Sequence, residues 1–407
     1  MTNIAILGYG TVGSGVAAVI AKNQDRLVKQ LGSGIAVKYI LDIRDFPDDP
    51  NAGKIVRDLS QIVDDPEVAV VCETMGGVSY AYDFTKRALL AGKSVCTSNK
   101  ELVASHGPEL QSIAAEKKCH YLFEASVGGG IPIIRLLGSA LSVERITGIA
   151  GILNGTTNYM LTKMEKEGAD YAAVLKEAQD LGYAESNPEA DVGGHDSARK
   201  IAILGSLMTG KNVNYEKVYT EGITQITAAD FSCARLLGMT IKLLASAEVD
   251  ESGSFYAYVA PFLLAAEHPL YPVNDVYNAV FVRSNMLGNS MYYGRGAGKL
   301  PTASAVVADV VRSINHLGQA FPCPWDASEM AVVPMEQRLS RFLVRIVRSS
   351  DENIRRAREL FPGFSPLPMP DLVAGEYAFT CGPLPEAEFA EKVAKLPSGI
   401  VSRIRFT

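Results

Sequence analysis

The chain has 407 residues, of which 47% are hydrophobic and 21% are charged, and its formal net charge is −6. This length allows large buried cores and two or three domains, while the acidic balance excludes a general nucleic-acid-binding surface. The sequence contains no apolar run of about 18 residues that would predict a transmembrane helix, and no signal-peptide pattern precedes the first predicted strand. Its six cysteines are scattered and form no CxxC pair, so neither a zinc site nor a disulfide framework is expected. We therefore expect a cytoplasmic protein that binds neither a membrane nor nucleic acid.

The first 125 residues alternate short apolar runs with amphipathic stretches. This alternation predicts a parallel sheet that is covered by helices on both faces. The predicted strands are Asn3–Leu7, Ile35–Leu41, Val68–Glu73, Ser94–Thr97 and His120–Glu124, and the predicted helices are Val12–Leu31, Tyr80–Ala91 and Lys100–Lys117.

A glycine-rich turn, Gly8-Tyr-Gly10-Thr-Val-Gly13-Ser-Gly15, lies between the first predicted strand and the first helix. In a dinucleotide-binding turn, Gly8 would allow the tight turn, Gly10 the approach of a pyrophosphate, and Gly13 close packing of helix on strand. The helix N-terminus would supply free N–H donors to the phosphates. A ligand-free glycine turn is the alternative, but the surrounding α/β alternation favours a dinucleotide.

The second predicted strand ends in Leu41-Asp42-Ile43-Arg44-Asp45, which bears on the type of dinucleotide. An acid at this position binds the ribose of NAD, whereas an arginine accommodates the 2′-phosphate of NADP. Both types are present, and each could also be a solvated charge after a strand. The sequence leaves NAD and NADP open.

Three further loops carry candidate ligand contacts. Ser98-Asn99-Lys100 follows a parallel strand, and the helix dipole disfavours a first-turn lysine, so Lys100 is either a ligand contact or an exposed lysine. In Glu124–Pro132, three glycines beside a carboxylate suit a hard cation or a hinge between domains. Gly294–Thr302 either closes over a cofactor or simply connects a strand to a helix.

From about residue 136 the pattern changes to helices followed by consecutive strands, which predicts a second, largely antiparallel domain. Its predicted elements are Ile146–Leu153, Tyr159–Glu167, Tyr171–Leu181, Ser197–Met208, Phe255–Leu264, Val276–Arg283 and Ser290–Tyr293, and the helical stretch Thr302–Leu317 would return the chain to the first domain. The last 75 residues predict a ferredoxin-like β-α-β-β-α-β unit with elements at Arg341–Val347, Asp351–Leu360, Glu376–Thr380, Glu386–Leu396 and Ile400–Phe406.

The densest group of ionisable residues is Gly182-Tyr-Ala-Glu185 followed by Asp191-Val-Gly-Gly-His195-Asp196-Ser-Ala-Arg-Lys200. Asp196 and Lys200 would share one helix face beside the apolar run Ile201–Leu204. An ordinary surface ion pair is the alternative. Two more acids on a glycine-rich loop favour proton transfer at the solvent-facing end of a buried helix. His195 is expected to face the loop or cap the helix.

Over residues 3–325 the chain resembles the homoserine dehydrogenase family. The resemblance rests on the turn at Gly8–Gly15, on Ser98-Asn99-Lys100, on Glu124–Pro132, on Asn154-Gly-Thr-Thr-Asn-Tyr159, and above all on Gly182–Lys200, together with Gly294–Thr302. It implies NAD(P)-dependent interconversion of L-homoserine and L-aspartate 4-semialdehyde in threonine, methionine and isoleucine biosynthesis. Because the sheet of the second domain could pair between subunits, we also expect a homodimer or homotetramer.

The resemblance also implies site residues. Lys200 is expected to be the catalytic acid/base, with Lys100 as a second active-site lysine, and Glu185, Asp196 and Asp191 are expected to bind substrate. The expected cofactor contacts are Gly8, Gly10, Thr11, Val12, Gly13, Arg44, Ser98, Lys100, Gly182 and Gly298. A structural monovalent cation, sodium, is expected at Glu124, Val127, Gly129 and Ile131. A lysine that accepts a proton needs a pKa below its usual value, and Lys100 would be a cation able to lower the pKa of Lys200.

We expect an α/β architecture in three parts: a Rossmann-type domain (1–135, completed by about 300–325), a substrate and dimerisation domain (136–300), and an ACT-like module (335–407). Two departures from the family stand out: Ser186 and Asn187 replace a common Pro-Asp, and the turn Arg348-Ser-Ser-Asp-Glu352 lacks the Asp-x-Pro-Gly of ligand-binding ACT turns. Threonine therefore stays open as an effector. The alternatives are a dehydrogenase of another amino-acid aldehyde or alcohol, and a non-catalytic nucleotide sensor.

Overall fold

Six parallel strands form the first sheet of the computed structural model, which describes residues 1–347, 351–368 and 375–407. Their order is β3–β2–β1–β4–β5–β6, with Ile4 and Ile6 packed on one face and Leu7 on the other. Burial on both faces explains why these strands read as continuous apolar runs. The elements are β1 (Thr2–Leu7), α1 (Thr11–Lys22), α2 (Gln24–Leu31), β2 (Ile35–Leu41), β3 (Ile55–Val56), α3 (Ser60–Val63), β4 (Val68–Glu73), α4 (Ser79–Leu90), β5 (Ser94–Thr97), α5 (Lys100–Glu116) and β6 (Tyr121–Leu122).

The sheet confirms the predicted α/β architecture, with two local corrections. The first predicted helix is divided at Asn23, whose backbone leaves the helical region. The break places the Gln24 side chain where it bonds both the N–H and the carbonyl of Ile35 at the start of β2. The last strand keeps only Tyr121–Leu122, because Glu124 begins a 3-10 turn.

The strand order reverses between β1 and β4, and ligands of open parallel sheets bind at the carboxyl ends of the strands beside such a point. The glycine turn follows β1, and Ser98 follows β5 at the same edge. Thr74, directly after β4, bonds the carbonyls of Leu7 and Gly8. The topology therefore brings the glycine turn and Lys100 to one edge.

A ten-stranded mixed sheet makes up the rest of the chain, in the order β12–β11–β7–β9–β10–β16–β13–β15–β14, with β8 added beside β10. The elements of its first part are α6 (Ile133–Gly138), β7 (Ile146–Ile152), α7 (Gly155–Glu167), α8 (Tyr171–Asp180), α9 (Glu189–Val192), α10 (His195–Thr209), β8 (Tyr219–Thr220), α11 (Ala228–Leu236), β9 (Met239–Val249), β10 (Phe255–Ala265), β11 (Tyr277–Ser284), β12 (Asn289–Arg295) and α12 (Lys299–Asn315). The helix α12 packs beside the first sheet, where Ala303, Val306 and Val310 lie in one core with Val16 and Ile20 of α1.

The long strand β9 is absent from the sequence prediction. It pairs with both β7 and β10 and therefore lies in the interior of the sheet. Ile241 and Leu243 face one core and Leu244 another. Lys242 lies in the middle of this run, fully buried, and donates to Asn274. This lysine interrupts the apolar pattern that identifies a central strand.

The C-terminal unit continues the same sheet, since β16 pairs in parallel with β10 through Phe262–Arg405 and Leu263–Phe406. Its elements are β13 (Leu339–Val347), α13 (Asp351–Leu360), β14 (Ser365–Leu367), β15 (Glu376–Pro385), α14 (Glu386–Val393) and β16 (Ser402–Phe406). Most of the predicted turn 348–352 lies outside the described residues. So does the end of residues 361–370, a stretch rich in proline that separates the two halves of this unit in the sequence. In the described part of the chain, no helix is long and apolar enough to cross a membrane.

Candidate active site

A cleft of about 510 Å³ opens between the carboxyl edge of the parallel sheet and the N-terminal ends of α7 and α10. It brings together ten predicted site residues from distant parts of the sequence. These are Val12, Ser98, Lys100, Gly129, Gly182, Glu185, Asp191, Asp196, Lys200 and Gly298. The loops Glu124–Pro132 and Gly294–Thr302 also contribute lining residues to the cleft.

The geometry of α10 places Lys200 at the cleft wall. The helix begins at His195 after Gly194, which has a φ of +86°, a conformation that suits glycine. Ile201 and Leu204 anchor the helix in the core, whereas Asp196 and Lys200 share the face toward the cleft. Lys200 Nζ donates to Asp196 Oδ2 and to the Leu153 carbonyl, each at 2.7 Å. As expected, His195 is exposed at the helix start.

Asp196 is the centre of the charged group. Besides Lys200 it pairs with Lys100 Nζ at 3.1 Å and accepts a bond from Asn154 Nδ2 at 2.9 Å. Burial alone would raise the pKa of Asp196, but the two ammonium groups outweigh it, and the net pKa is lowered. Asp196 therefore pairs with Lys200, its expected neighbour on α10, and also with Lys100, so this carboxylate is an ion-pair partner of both lysines.

Lys100 occupies the first turn of α5, where the helix dipole disfavours a cation. Asn99 caps the helix by accepting from Leu102 N. Burial opposes the charge of Lys100, but the neighbouring Asp196 outweighs this effect and raises the pKa of Lys100. Lys100 is thus held charged at the cleft by a partner nearly a hundred residues away.

Asn154 is a site residue that the sequence reasoning did not single out, although it opens the Asn154–Tyr159 motif. Its Oδ1 caps α7 by accepting from Thr157 N. Its Nδ2 bridges Asp191 Oδ1 at 2.7 Å and Asp196 Oδ2 at 2.9 Å. Burial raises the pKa of Asp191. The amide therefore holds two acids together at the cleft.

Glu185 enters the cleft from the loop after α8. Gly182 starts that loop with a φ of +74°, and the Gln179 side chain donates to the Glu185 carbonyl at 3.0 Å. The Glu185 side chain itself is exposed to solvent. It is free to meet a cationic group that enters the cleft.

The glycine turn has the geometry that a dinucleotide requires. Gly8 has a φ of +86°. A Cβ on Gly13 would lie 2.0 Å from the Gly8 carbonyl oxygen, and only glycine allows α1 to pack so closely. The helix α1 starts at Thr11 without a side-chain cap, so the N–H groups of its first turn are free to donate to a ligand at the carboxyl edge of the sheet. The residues fit a bound pyrophosphate.

Asp42 and Arg44 form one unit beside this turn. Asp42 accepts from Tyr9 N at 2.7 Å and holds the Arg44 guanidinium with both oxygens, at 2.9 and 2.8 Å. The bonds from Arg44, opposed by burial, lower the pKa of Asp42 to about 2. Arg44 remains half exposed. The Arg44 guanidinium therefore lies beside Gly10, with Nη2 3.9 Å from the position of a Cβ on that glycine.

In the Glu124–Pro132 loop the Glu124 carboxylate is already occupied. It accepts from Ile134 N at 2.9 Å and Arg135 N at 2.8 Å, capping α6. Burial raises its pKa to about 7. Gly128 and Gly129 have positive φ. Any cation here would be held by main-chain carbonyls, since both Glu124 carboxylate oxygens already accept hydrogen bonds from the first turn of α6.

The loop Gly294–Thr302 packs directly on that segment. Gly130 N donates to the Arg295 carbonyl at 3.1 Å, and a Cβ on Gly129 would lie 2.5 Å from the Gly296 carbonyl oxygen. Gly298 then lines the cleft, as does Val12. The two loops thus form one wall.

Comparison with known proteins agrees with this arrangement. Residues 8–124 match the NAD-binding domain of homoserine dehydrogenase, and residues 132–311 match the homoserine dehydrogenase domain. The chain is 45% identical over 318 residues to a homoserine dehydrogenase of Bacillus subtilis (strain 168), covering 77% of this chain and 73% of the relative. It is 43% identical to that of Synechocystis sp., covering 84% and 82%.

Solved structures show the same likeness. A homoserine dehydrogenase from Thiobacillus denitrificans superimposes with a TM-score of 0.89 at 33% identity, covering 100% of this chain and 98% of that one. A hyperthermophilic archaeal homoserine dehydrogenase in complex with NADPH gives 0.66 at 28% identity, covering 79% and 98%. The chain therefore belongs to the homoserine dehydrogenase family of NAD(P)-dependent oxidoreductases.

Proposed function

We propose that Lys200 transfers the proton that accompanies hydride transfer between L-homoserine and L-aspartate 4-semialdehyde. The observation that carries this role is the position of Nζ, held at the cleft by Leu153 O and Asp196 Oδ2. An ammonium group has three donors, so one is left for a substrate oxygen. The nicotinamide supplies the hydride chemistry when bound. Lys200 then protonates the developing alkoxide, or removes the hydroxyl proton in the other direction.

The substrate is a zwitterion, and the cleft offers charges of both signs. Glu185 suits the ammonium group because it is an exposed carboxylate at the cleft. Lys100 suits an anionic group of substrate or cofactor. We assign Asp191 and Asp196 to substrate binding as well, and their bonds to Asn154 support this assignment by fixing both carboxylates at the cleft.

The variants Lys200→Met and Lys200→Arg test the proton-transfer role in an assay of NAD(P)H oxidation with aspartate semialdehyde. Removing a general acid costs roughly 10²- to 10⁴-fold in rate, so we expect kcat to fall by that factor while cofactor affinity stays near normal. Lys217→Met is a matched control, since this lysine pairs with Glu329 rather than with any of the cleft carboxylates. Near-normal kcat in Lys200→Met would refute the role and leave the family assignment standing.

The cofactor is NADP or NAD, bound along Gly8, Gly10, Thr11, Val12 and Gly13. Arg44 favours the 2′-phosphate of NADP, because Asp42, the acid that would bind a ribose, already uses both oxygens on Arg44 and Tyr9.

We further propose a structural sodium ion at the main chain of Glu124, Val127, Gly129 and Ile131. The positive φ angles at Gly128 and Gly129 support it, because they give this loop a tight turn whose main-chain carbonyls are the oxygen ligands that a hard cation prefers.

We propose that residues 335–407 form an ACT-like module beside the Rossmann-type domain (1–135, completed by 300–325) and the substrate domain (136–300). The strand order β14–β15–β13–β16, with α13 and α14 as the connections, supports this proposal.

We also propose that the enzyme is a cytoplasmic homodimer or homotetramer that acts in threonine, methionine and isoleucine biosynthesis. Assays with both cofactors, with and without threonine, test the cofactor choice and the effector.

A further inference from the structure

The last strand of the fold is linked by a chain of contacts to the N-terminal end of α10, the helix that carries Asp196 and Lys200. We propose that Arg405 of β16 is a positioning residue for the reaction, acting through Glu221 on the segment 191–196, where α9 ends and α10 begins. The proposal rests on the proposed role of the Asp196–Lys200 pair. It concerns the alignment of that pair and does not depend on any effector of the module.

The first step is the contact of Arg405 with Glu221. The Arg405 side chain is fully buried, and its Nη1 donates to Glu221 Oε2 at 2.7 Å. Nε and Nη2 donate to the two oxygens of Glu386 at 2.7 and 2.8 Å, and Nη2 also reaches Tyr219 Oη at 3.1 Å. Tyr219 Oη in turn donates to Glu221 at 2.9 Å. A planar guanidinium is the group that can meet all these acceptors at once.

The second step leads from Glu221 to the loop. Glu221 N donates to the Val259 carbonyl at 2.8 Å, and Ile223 N donates to the Val192 carbonyl at 2.9 Å. Between them, a Cβ on Gly222 would lie 2.1 Å from the Val192 carbonyl oxygen and 2.7 Å from Gly193 Cα. Residues 192–193 therefore rest directly on residues 221–223, with no space for adjustment.

The third step is the start of α10. A Cβ on Gly194 would lie 3.1 Å from both Thr220 Cγ2 and Val259 Cγ1. Asp196 follows two residues later and bonds Lys200 at 2.7 Å. A shift of Glu221 would consequently move the N-terminal turn of α10. A misplacement of about 1 Å in a catalytic group costs on the order of 10²-fold in rate.

Arg345 provides a matched control within the same module. It is also buried, and it pairs with Asp230 at 2.8 Å and with Glu376 at 2.5 Å. It also donates to Thr227 at 2.9 Å. Arg345 therefore anchors the module to α11, which packs against β9 and α7. Arg405 instead anchors the module to Glu221, in the segment 221–223 that contacts residues 192–193.

The test compares Arg405→Met, Arg405→Lys, Glu221→Gln and Arg345→Met in the full chain. For each we measure kcat, KM for semialdehyde and for cofactor, the pH profile of kcat, and Tm. We expect Arg405→Met and Glu221→Gln to lower kcat roughly ten- to hundredfold and to shift its pH profile, with cofactor KM within about twofold. Arg405→Lys should recover part of the loss. Arg345→Met should lower Tm without this loss of kcat.

Unchanged kcat in the Arg405 and Glu221 variants, or an equal loss in Arg345→Met, would overturn the proposal. If Arg405→Met does not fold, the near-isosteric Glu221→Gln still decides the outcome. The failures of the two proposals are also distinguishable. Turnover retained in Lys200→Met would reject the proton-transfer role of Lys200, and with it the alignment that Arg405 is proposed to serve. Turnover lost in Lys200→Met but unchanged in Arg405→Met and Glu221→Gln would reject the positioning role alone.

Discussion

At the scale of single residues, Asp196 links the two lysines of the cleft, Lys100 and Lys200, and Asp196→Asn removes the carboxylate charge between them. We expect kcat to fall at least roughly hundredfold, as for loss of a preorganised electrostatic partner. Because Asp196 is the group that raises the pKa of Lys100, Lys100 should also lose its proton at lower pH. The measurement is kcat/KM as a function of pH. Asp180→Asn, which breaks an exposed pair with Lys176, should leave the profile unchanged.

A second residue-scale prediction concerns Glu73, which is fully buried at the end of β4 and bonded by Thr97 and Met75. Burial raises its pKa from 4.5 to about 7, against the opposing effect of these bonds. The folded state therefore holds a proton that the unfolded state loses, and stability falls as pH rises between 4.5 and 7. Glu73→Gln should remove up to roughly 1.4 kcal/mol per pH unit of this slope. Urea unfolding at pH 5, 6, 7 and 8 measures it, and an unchanged slope contradicts the prediction.

At the scale of secondary-structure elements, the packing of α1 on β1 depends on Gly13. Gly13→Ala would place a methyl group 2.0 Å from the Gly8 carbonyl oxygen, so helix and turn must separate. We expect at least about a tenfold loss of NADPH affinity, because the turn and helix N-terminus together bind the pyrophosphate. Fluorescence titration measures the Kd. Gly53→Ala, with no atom within 4 Å of the added carbon, should bind normally, and equal losses in both variants would reject the prediction.

The same scale shows what the sequence could predict. Parallel strands are predictable where burial on both faces leaves uninterrupted apolar runs, such as Ile4–Leu7. In β9 the apolar run is broken by Lys242, whose complete burial depends on a tertiary contact with Asn274. Asn154 was overlooked for a related reason: an uncharged amide gives no local signal, and its partners Asp191 and Asp196 lie 37 and 42 residues away. Long-range pairing is information that local patterns do not contain.

At the scale of the whole molecule, the C-terminal unit shares a sheet with the catalytic part through β10 and β16. Removing residues 335–407 would expose the edge of β10, an aggregation-prone feature, and leave Asp230 without the Arg345 bond. Loss of one partner of a buried pair costs about 3–5 kcal/mol. We therefore expect the truncated chain to have a much lower Tm or to aggregate. A truncated chain with unchanged Tm and activity in thermal unfolding and turnover assays would show instead that the unit is a separable appendage. Since buried arginines on two neighbouring strands cross this boundary, we expect the C-terminal unit and the mixed sheet to unfold in one cooperative transition.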